Sequence, residues 1–69
     1  MNTKEQYGMW VRGTRGASGL TQVELADEMT KRGVPWSRDV VARLETGRRH
    51  LRAYELAALQ VIKRESIPK

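Results

Sequence analysis

The sequence predicts an all-α protein: a small bundle of about four helices, forming a single domain over residues 1–69. Three observations carry that expectation. Apolar residues recur at helical spacing in four separate stretches, side chains that start helices precede most of them, and glycine or proline marks the breaks.

The first helix is expected over about 3–17. Thr3 and Gln6 have the spacing of a capping box, and Glu5 sits in the first turn, where the helix dipole favours an acid. Tyr7, Trp10, Val11 and Thr14 share a face suited to a core. Gly13 and Gly16 oppose this helix, each costing roughly 1 kcal/mol relative to alanine, and Gly16-Ala17-Ser18-Gly19 ends it. The second helix, about 21–32, has the clearest start. Thr21 and Glu24 form a T-x-x-E box, Leu20 and Leu25 fit the hydrophobic staple across it, and Leu25, Ala26 and Met29 make the inward stripe. Lys31 and Arg32 suit the last turn, Gly33 a left-handed terminator, and Val34-Pro35 a connector.

Ser37 is the expected N-cap of a third helix, about 37–46, with Trp36 and Val41 as its staple, Asp39 in its first turn and Gly47 just beyond its end. The fourth helix, about 52–63, carries Leu56, Leu59 and Ile62 on one face, and residues 64–69 are expected to fray. One core follows: Leu20, Leu25, Met29, Val41, Leu44, Leu56, Leu59 and Ile62.

A chain of 69 residues makes one small domain, with little room for a deep substrate cavity. The absence of cysteine excludes disulfides, iron–sulfur clusters and thiolate zinc sites. His50 stands alone in a basic run, so it reads as a solvated side chain, and neither a metal nor a cofactor is expected. The start of the chain does not read as a signal peptide, and no apolar run approaches the ~20 residues of a membrane span. A cytoplasmic protein without a membrane partner is the expectation. The net charge of +5 favours nucleic acid or another anionic surface as partner.

The placement of charge says more. At 100° per residue, Val41 and Leu44 of the third helix point inward with Val40 at the margin. Asp39, Ala42, Arg43 and Thr46 then occupy the outward arc, with Arg38 beside it. Arginine can pair bidentately with guanine, a carboxylate can accept from cytosine, and alanine can touch a thymine methyl. The same arc also fits an ordinary solvated face with Asp39 and Arg43 as an i,i+4 ion pair. Directly after it, Gly47-Arg48-Arg49-His50-Leu51-Arg52 supplies a basic loop able to hold phosphates. Gln22, at the start of the second helix, can donate to another phosphate, although an exposed polar residue there is unremarkable.

Four segments together resemble the lambda-type phage repressor and Cro (XRE-like) helix-turn-helix family. They are Val11-Arg12 with Arg15, Gly19-Leu20-Thr21-Gln22-Val23-Glu24-Leu25-Ala26, Val40-Val41-Ala42-Arg43-Leu44-Glu45-Thr46-Gly47-Arg48-Arg49, and Glu55-Leu56-Ala57-Ala58-Leu59. The resemblance covers roughly residues 11–62. It implies that the third helix enters the major groove of double-stranded DNA at an operator. Arg38, Asp39, Ala42 and Arg43 would then face base edges, while Thr21, Gln22, Thr46, Arg48, Arg49 and Arg52 would hold phosphates. It further implies an ion pair between Arg15 and Glu45 that joins the first and third helices. A Cro-like or repressor-type transcriptional regulator, acting in a bacterial or phage-infected cell, is the function to expect.

Two departures from the family pattern stand out. Thr30-Lys31-Arg32-Gly33-Val34-Pro35-Trp36 adds about five residues between the central helices, lengthening either the second helix or the loop. A fifth helix that serves dimerisation in many family members has no counterpart, so the expected assembly is a monomer or weak homodimer that pairs on a two-fold site. A competing function is a protein-interaction module on the same fold, an antitoxin or regulatory adaptor, for which exposed Trp36 and Tyr54 would speak. An enzyme is not expected: paired carboxylates, a nucleophile with its base and a phosphate-cradling glycine loop are all missing, and so is any small-molecule substrate site.

Overall fold

Three of the helix starts are capped by the residues whose chemistry calls for it. Thr3 Oγ1 accepts from the Gln6 amide at 3.1 Å while Gln6 Oε1 accepts from the Thr3 amide at 2.9 Å. Thr21 and Glu24 repeat the exchange at 3.1 and 2.8 Å, and Ser37 Oγ accepts from the Val40 amide at 3.3 Å. Each pair satisfies helix-end donors that have no intrahelical partner. The resulting elements, in a computed structural model that describes residues 3–65, are α1 (Lys4–Ala17), α2 (Gln22–Lys31), α3 (Arg38–Glu45) and α4 (Ala53–Glu65). Among the described residues there is no strand, and no helix is long and apolar enough to cross a membrane.

The breaks follow the expected chemistry. After α2, Gly33 takes φ 85°, its amide bonding Thr30 O and the Val34 amide bonding Met29 O. After α3, Gly47 takes φ 75°, with Gly47 N–H on Leu44 O and Arg48 N–H on Arg43 O. These are paired 5→2 and 6→1 closures that a left-handed residue permits.

α3 packs against α1 and α2, and α4 packs on the same two helices. The core they enclose comprises Val11, Leu25, Ala26, Met29, Val34, Trp36, Val41, Leu44, Leu59 and Ile62. Leu20 is half-buried against it. Leu56 departs from expectation: it is half-buried beside a shallow groove between α1 and α4 that Tyr7 and Trp10 also line. The inward positions of α4 are 55, 59 and 62, so Glu55, 1 % exposed, takes the slot expected for Leu56.

One further correction concerns a boundary, and two findings describe the connector. α4 continues through Arg64 and Glu65, which were expected to fray, with Glu65 paired to Arg32; residues 66–69 lie outside the described residues. The added residues between the central helices lengthen the connector, since α2 ends at Lys31. That connector, residues 32–37, is not a looped-out excursion, because Val34 and Trp36 fold into the core and Thr30 Oγ1 donates to Trp36 O at 3.2 Å. Trp36 is therefore a core side chain, whereas Tyr54 is exposed.

α1 approaches the end of α3 at backbone distance. Gly8 is buried, and a Cβ built on it would collide with the Leu44 carbonyl oxygen and lie 3.1 Å from that of Glu45. Only glycine permits this approach.

Candidate nucleic-acid interface

With Val41 and Leu44 fully buried, the rest of α3 is oriented by default. Arg38, Asp39 and Arg43 are exposed on its free side, and Ala42 is half-buried between them. Asp39 Oδ2 lies 3.1 Å from Arg43 Nε, the i,i+4 ion pair that spacing allowed. Both side chains are well exposed, so the pair adds little to stability.

Two carboxylates hold the ends of this helix in place. At its C-terminal end Glu45 receives Arg15 through Nε at 2.6 Å and Nη2 at 3.1 Å, and Gln22 Nε2 at 3.2 Å. Arg15 Nη1 also donates to Leu20 O at 3.1 Å. One cluster thus ties α1, the start of α2 and the end of α3 together, with the Glu45 side chain only 6 % exposed. Gln22 points its amide into this cluster, which differs from a free phosphate donor.

The second carboxylate is Glu55, which the sequence reading passed over. Its Oε1 accepts from Arg49 Nη1 at 3.0 Å and from the Arg52 amide at 2.9 Å. Its Oε2 accepts from Arg49 Nη2 at 2.9 Å and from Trp36 Nε1 at 2.8 Å. A buried carboxylate with all four acceptor sites filled is the arrangement that burial demands. Arg49, expected among the phosphate contacts, is instead held bidentately by Glu55 and donates to His50 O at 3.2 Å. A signal for Glu55 was available: it stands at N3 behind Arg52, and 55, 59 and 62 share a helical face as well as 56, 59 and 62 do.

Burial alone would push the Glu55 carboxyl up, but the hydrogen bonds from Arg49, Trp36 and the Arg52 amide, with the Arg49 charge, outweigh it and hold the group below its ordinary value. A depressed folded value means stability that is complete above the unfolded value and is lost as pH falls through the folded one. Thermal melts from pH 7 down to pH 3 should therefore show a steeper acid decline for the native protein than for Glu55→Gln, beginning below about pH 4.5. Identical acid slopes would mean that Glu55 carries no such linkage.

The arginines divide into those tied to acids and those that are not. Among the described residues, Arg15, Arg32, Arg43 and Arg49 pair with Glu45, with Glu28 and Glu65, with Asp39 and with Glu55, respectively. Arg38 at the start of α3, and Arg48 and Arg52 in the segment after it, are exposed and take part in none of these pairs. Thr46 Oγ1 spends its one proton on Ala42 O at 2.9 Å, so its hydroxyl must rotate before it can donate to a phosphate, whereas Thr21 uses its oxygen on the Glu24 amide and keeps its hydroxyl proton to donate. Arg38, Asp39, Ala42 and Arg43 share one helix, with Thr46, Arg48 and Arg52 following in chain order. No group of His, Cys, Asp and Glu among the described residues has the arrangement to hold a metal ion. No family model, no curated protein and no solved structure matches the chain.

Proposed function

We propose that this protein is a sequence-specific, double-stranded DNA-binding transcriptional regulator of the Cro or repressor type, reading its operator with α3. The observation that carries the reading is one short helix whose free side holds Arg38, Asp39 and Arg43, with the exposed cations Arg48 and Arg52 directly after it. The resemblance of residues 11–62 to lambda-type repressor domains supports the same function and suggests a bacterial or phage origin and action in the cytoplasm. Arg38, Asp39, Ala42 and Arg43 face bases in this reading, while Thr21, Arg48 and Arg52 hold phosphates, joined by Thr46 once its hydroxyl turns away from Ala42 O. Arg49 and Gln22 contribute by fixing their neighbours. Two copies of the chain occupy a two-fold site with half-site centres about 34 Å apart. The competing role of a protein-interaction module loses Trp36 to the core and retains exposed Tyr54 and Met9.

Selection of bound duplexes from random-sequence DNA by the purified protein tests this. A reproducible motif is expected, and binding without sequence preference would overturn the reading. Against that motif, Arg43→Ala should cost roughly 1–3 kcal/mol on the selected duplex and much less on random DNA. Arg48→Ala and Arg52→Ala should weaken both DNAs alike, each lowering the salt dependence of log K by about 1. Equal losses on both DNAs for Arg43→Ala would remove α3 as the reading element.

A further inference from the structure

The chain is held on both sides of α3 by the same side chain. Trp36, two residues ahead of Arg38, donates its indole N–H to Glu55 Oε2 at 2.8 Å. Arg49, four residues beyond Glu45, grips both oxygens of that carboxylate at 3.0 and 2.9 Å. We infer that Glu55 is a positioning residue for the reading helix: one buried carboxylate on α4 clamps both flanks of α3 and so sets the pose in which its side chains meet DNA. The inference rests on the DNA-reading function proposed above and adds to it a residue that touches no DNA.

The physical case begins with the size of α3. A helix of 8 residues is too short to persist without tertiary support, so its pose depends on its packing and on its flanks. Its C-terminal end is already fixed by Arg15, Gln22 and the close approach of Gly8. At its N-terminal end, Val41 packs in the core and the preceding connector is longer than the resemblance calls for. There the side-chain bond from Trp36 to Glu55 and the bond from Thr30 to Trp36 O replace the constraint that a tight turn supplies. α4 packs on α1 and α2, so Glu55 anchors both flanks to the part of the bundle that does not read DNA. Base readout depends on side chains held to within about half an ångström by such supporting bonds, whereas contacts to phosphate tolerate more play.

Trp36→Phe tests this, because it keeps an aromatic ring in the core and removes the N–H that reaches Glu55, while the melt reads the packing volume lost with the smaller ring. Glu55→Gln, which gives up the charge gripping Arg49, is the second variant. Each full-length variant is first verified as folded by its helical circular dichroism and a cooperative melt, then titrated with the duplex selected by the native protein and with random duplex. Trp36→Phe is expected to lower the ratio of selected to random affinity by about tenfold, comparable to losing one bidentate base contact. Random-DNA affinity should stay within about twofold, since the phosphate-facing side chains are untouched. Glu55→Gln should lower the ratio at least as far; if it does not fold, Trp36→Phe decides alone. A folded Trp36→Phe with the native ratio would overturn the clamp as a positioning device and leave it a stabilising contact only. Failure of the underlying function looks different: the native protein itself would then show no ratio to lose.

Discussion

Arg49→Ala is expected to destabilise the protein by roughly 3–5 kcal/mol, while its neighbour Arg48→Ala changes stability by no more than about 0.5 kcal/mol. The two arginines are adjacent in a basic loop and look interchangeable in the sequence. Their surroundings differ completely: Arg49 meets a carboxylate that is 1 % exposed, whereas Arg48 meets solvent. Removing Arg49 leaves Glu55 buried with a charge that only two neutral donors stabilise. For a domain whose whole stability is about 5–15 kcal/mol, that loss approaches unfolding. Urea denaturation checks it through the midpoints of the two variants, with equal midpoints counting against the buried pair. Adding Glu55→Leu to Arg49→Ala should recover part of the loss, because it removes the stranded charge. A failure of Arg49→Ala to bind DNA therefore reports on folding, and Arg48 and Arg52 are the residues with which to test phosphate contacts.

The contrast explains which parts of this protein are legible in its sequence. Thr3 with Gln6, Thr21 with Glu24, and Ser37 act over three or four residues of chain, so spacing alone reveals them, and the structure forms all three caps. The glycines after α2 and α3 are equally local. The inward stripe of α3 was readable because Val41 and Leu44 leave one consistent solution. Arg15 and Glu45, 30 residues apart, came from resemblance rather than from any local pattern, and they meet at 2.6 Å.

What escaped was long-range and polar. Periodicity assigned the inward face of α4 on the assumption that apolar residues point inward, which selects Leu56 over Glu55. The assumption fails where partners distant in the chain, here Trp36 from 19 residues away, make burying a carboxylate tolerable. The connector was open for a related reason: Val34-Pro35-Trp36 reads as a loop, and only the bundle supplies the pocket that turns Val34 and Trp36 into core. Loop composition likewise offered Arg48, Arg49 and Arg52 as equal phosphate ligands, since it cannot register an acid brought in from the next helix.

Gly8→Ala should destabilise the protein by about 1–3 kcal/mol, whereas Gly13→Ala in the same helix should stabilise it by roughly 0.4–1 kcal/mol. All three glycines of α1 weaken the isolated helix to a similar degree, and by that measure alone each alanine would help. Position decides the sign. A Cβ at Gly13 or Gly16 meets nothing within 4 Å. At Gly8 it meets the carbonyl oxygens of Leu44 and Glu45, which are backbone and cannot rotate away. Relief requires α1 to back off from the end of α3, opening the core around Val11 and Leu44 and straining the Arg15–Glu45 pair. Because this small domain shifts by about 4–8 °C per kcal/mol, thermal melts of the two variants should fall on opposite sides of the native protein. A Gly8→Ala protein that melts at or above the native temperature would mean that α1 and α3 do not approach as closely as the structure places them. With helix propensity rising and tertiary packing falling in the same substitution, a net loss at position 8 shows packing to be the stronger term there.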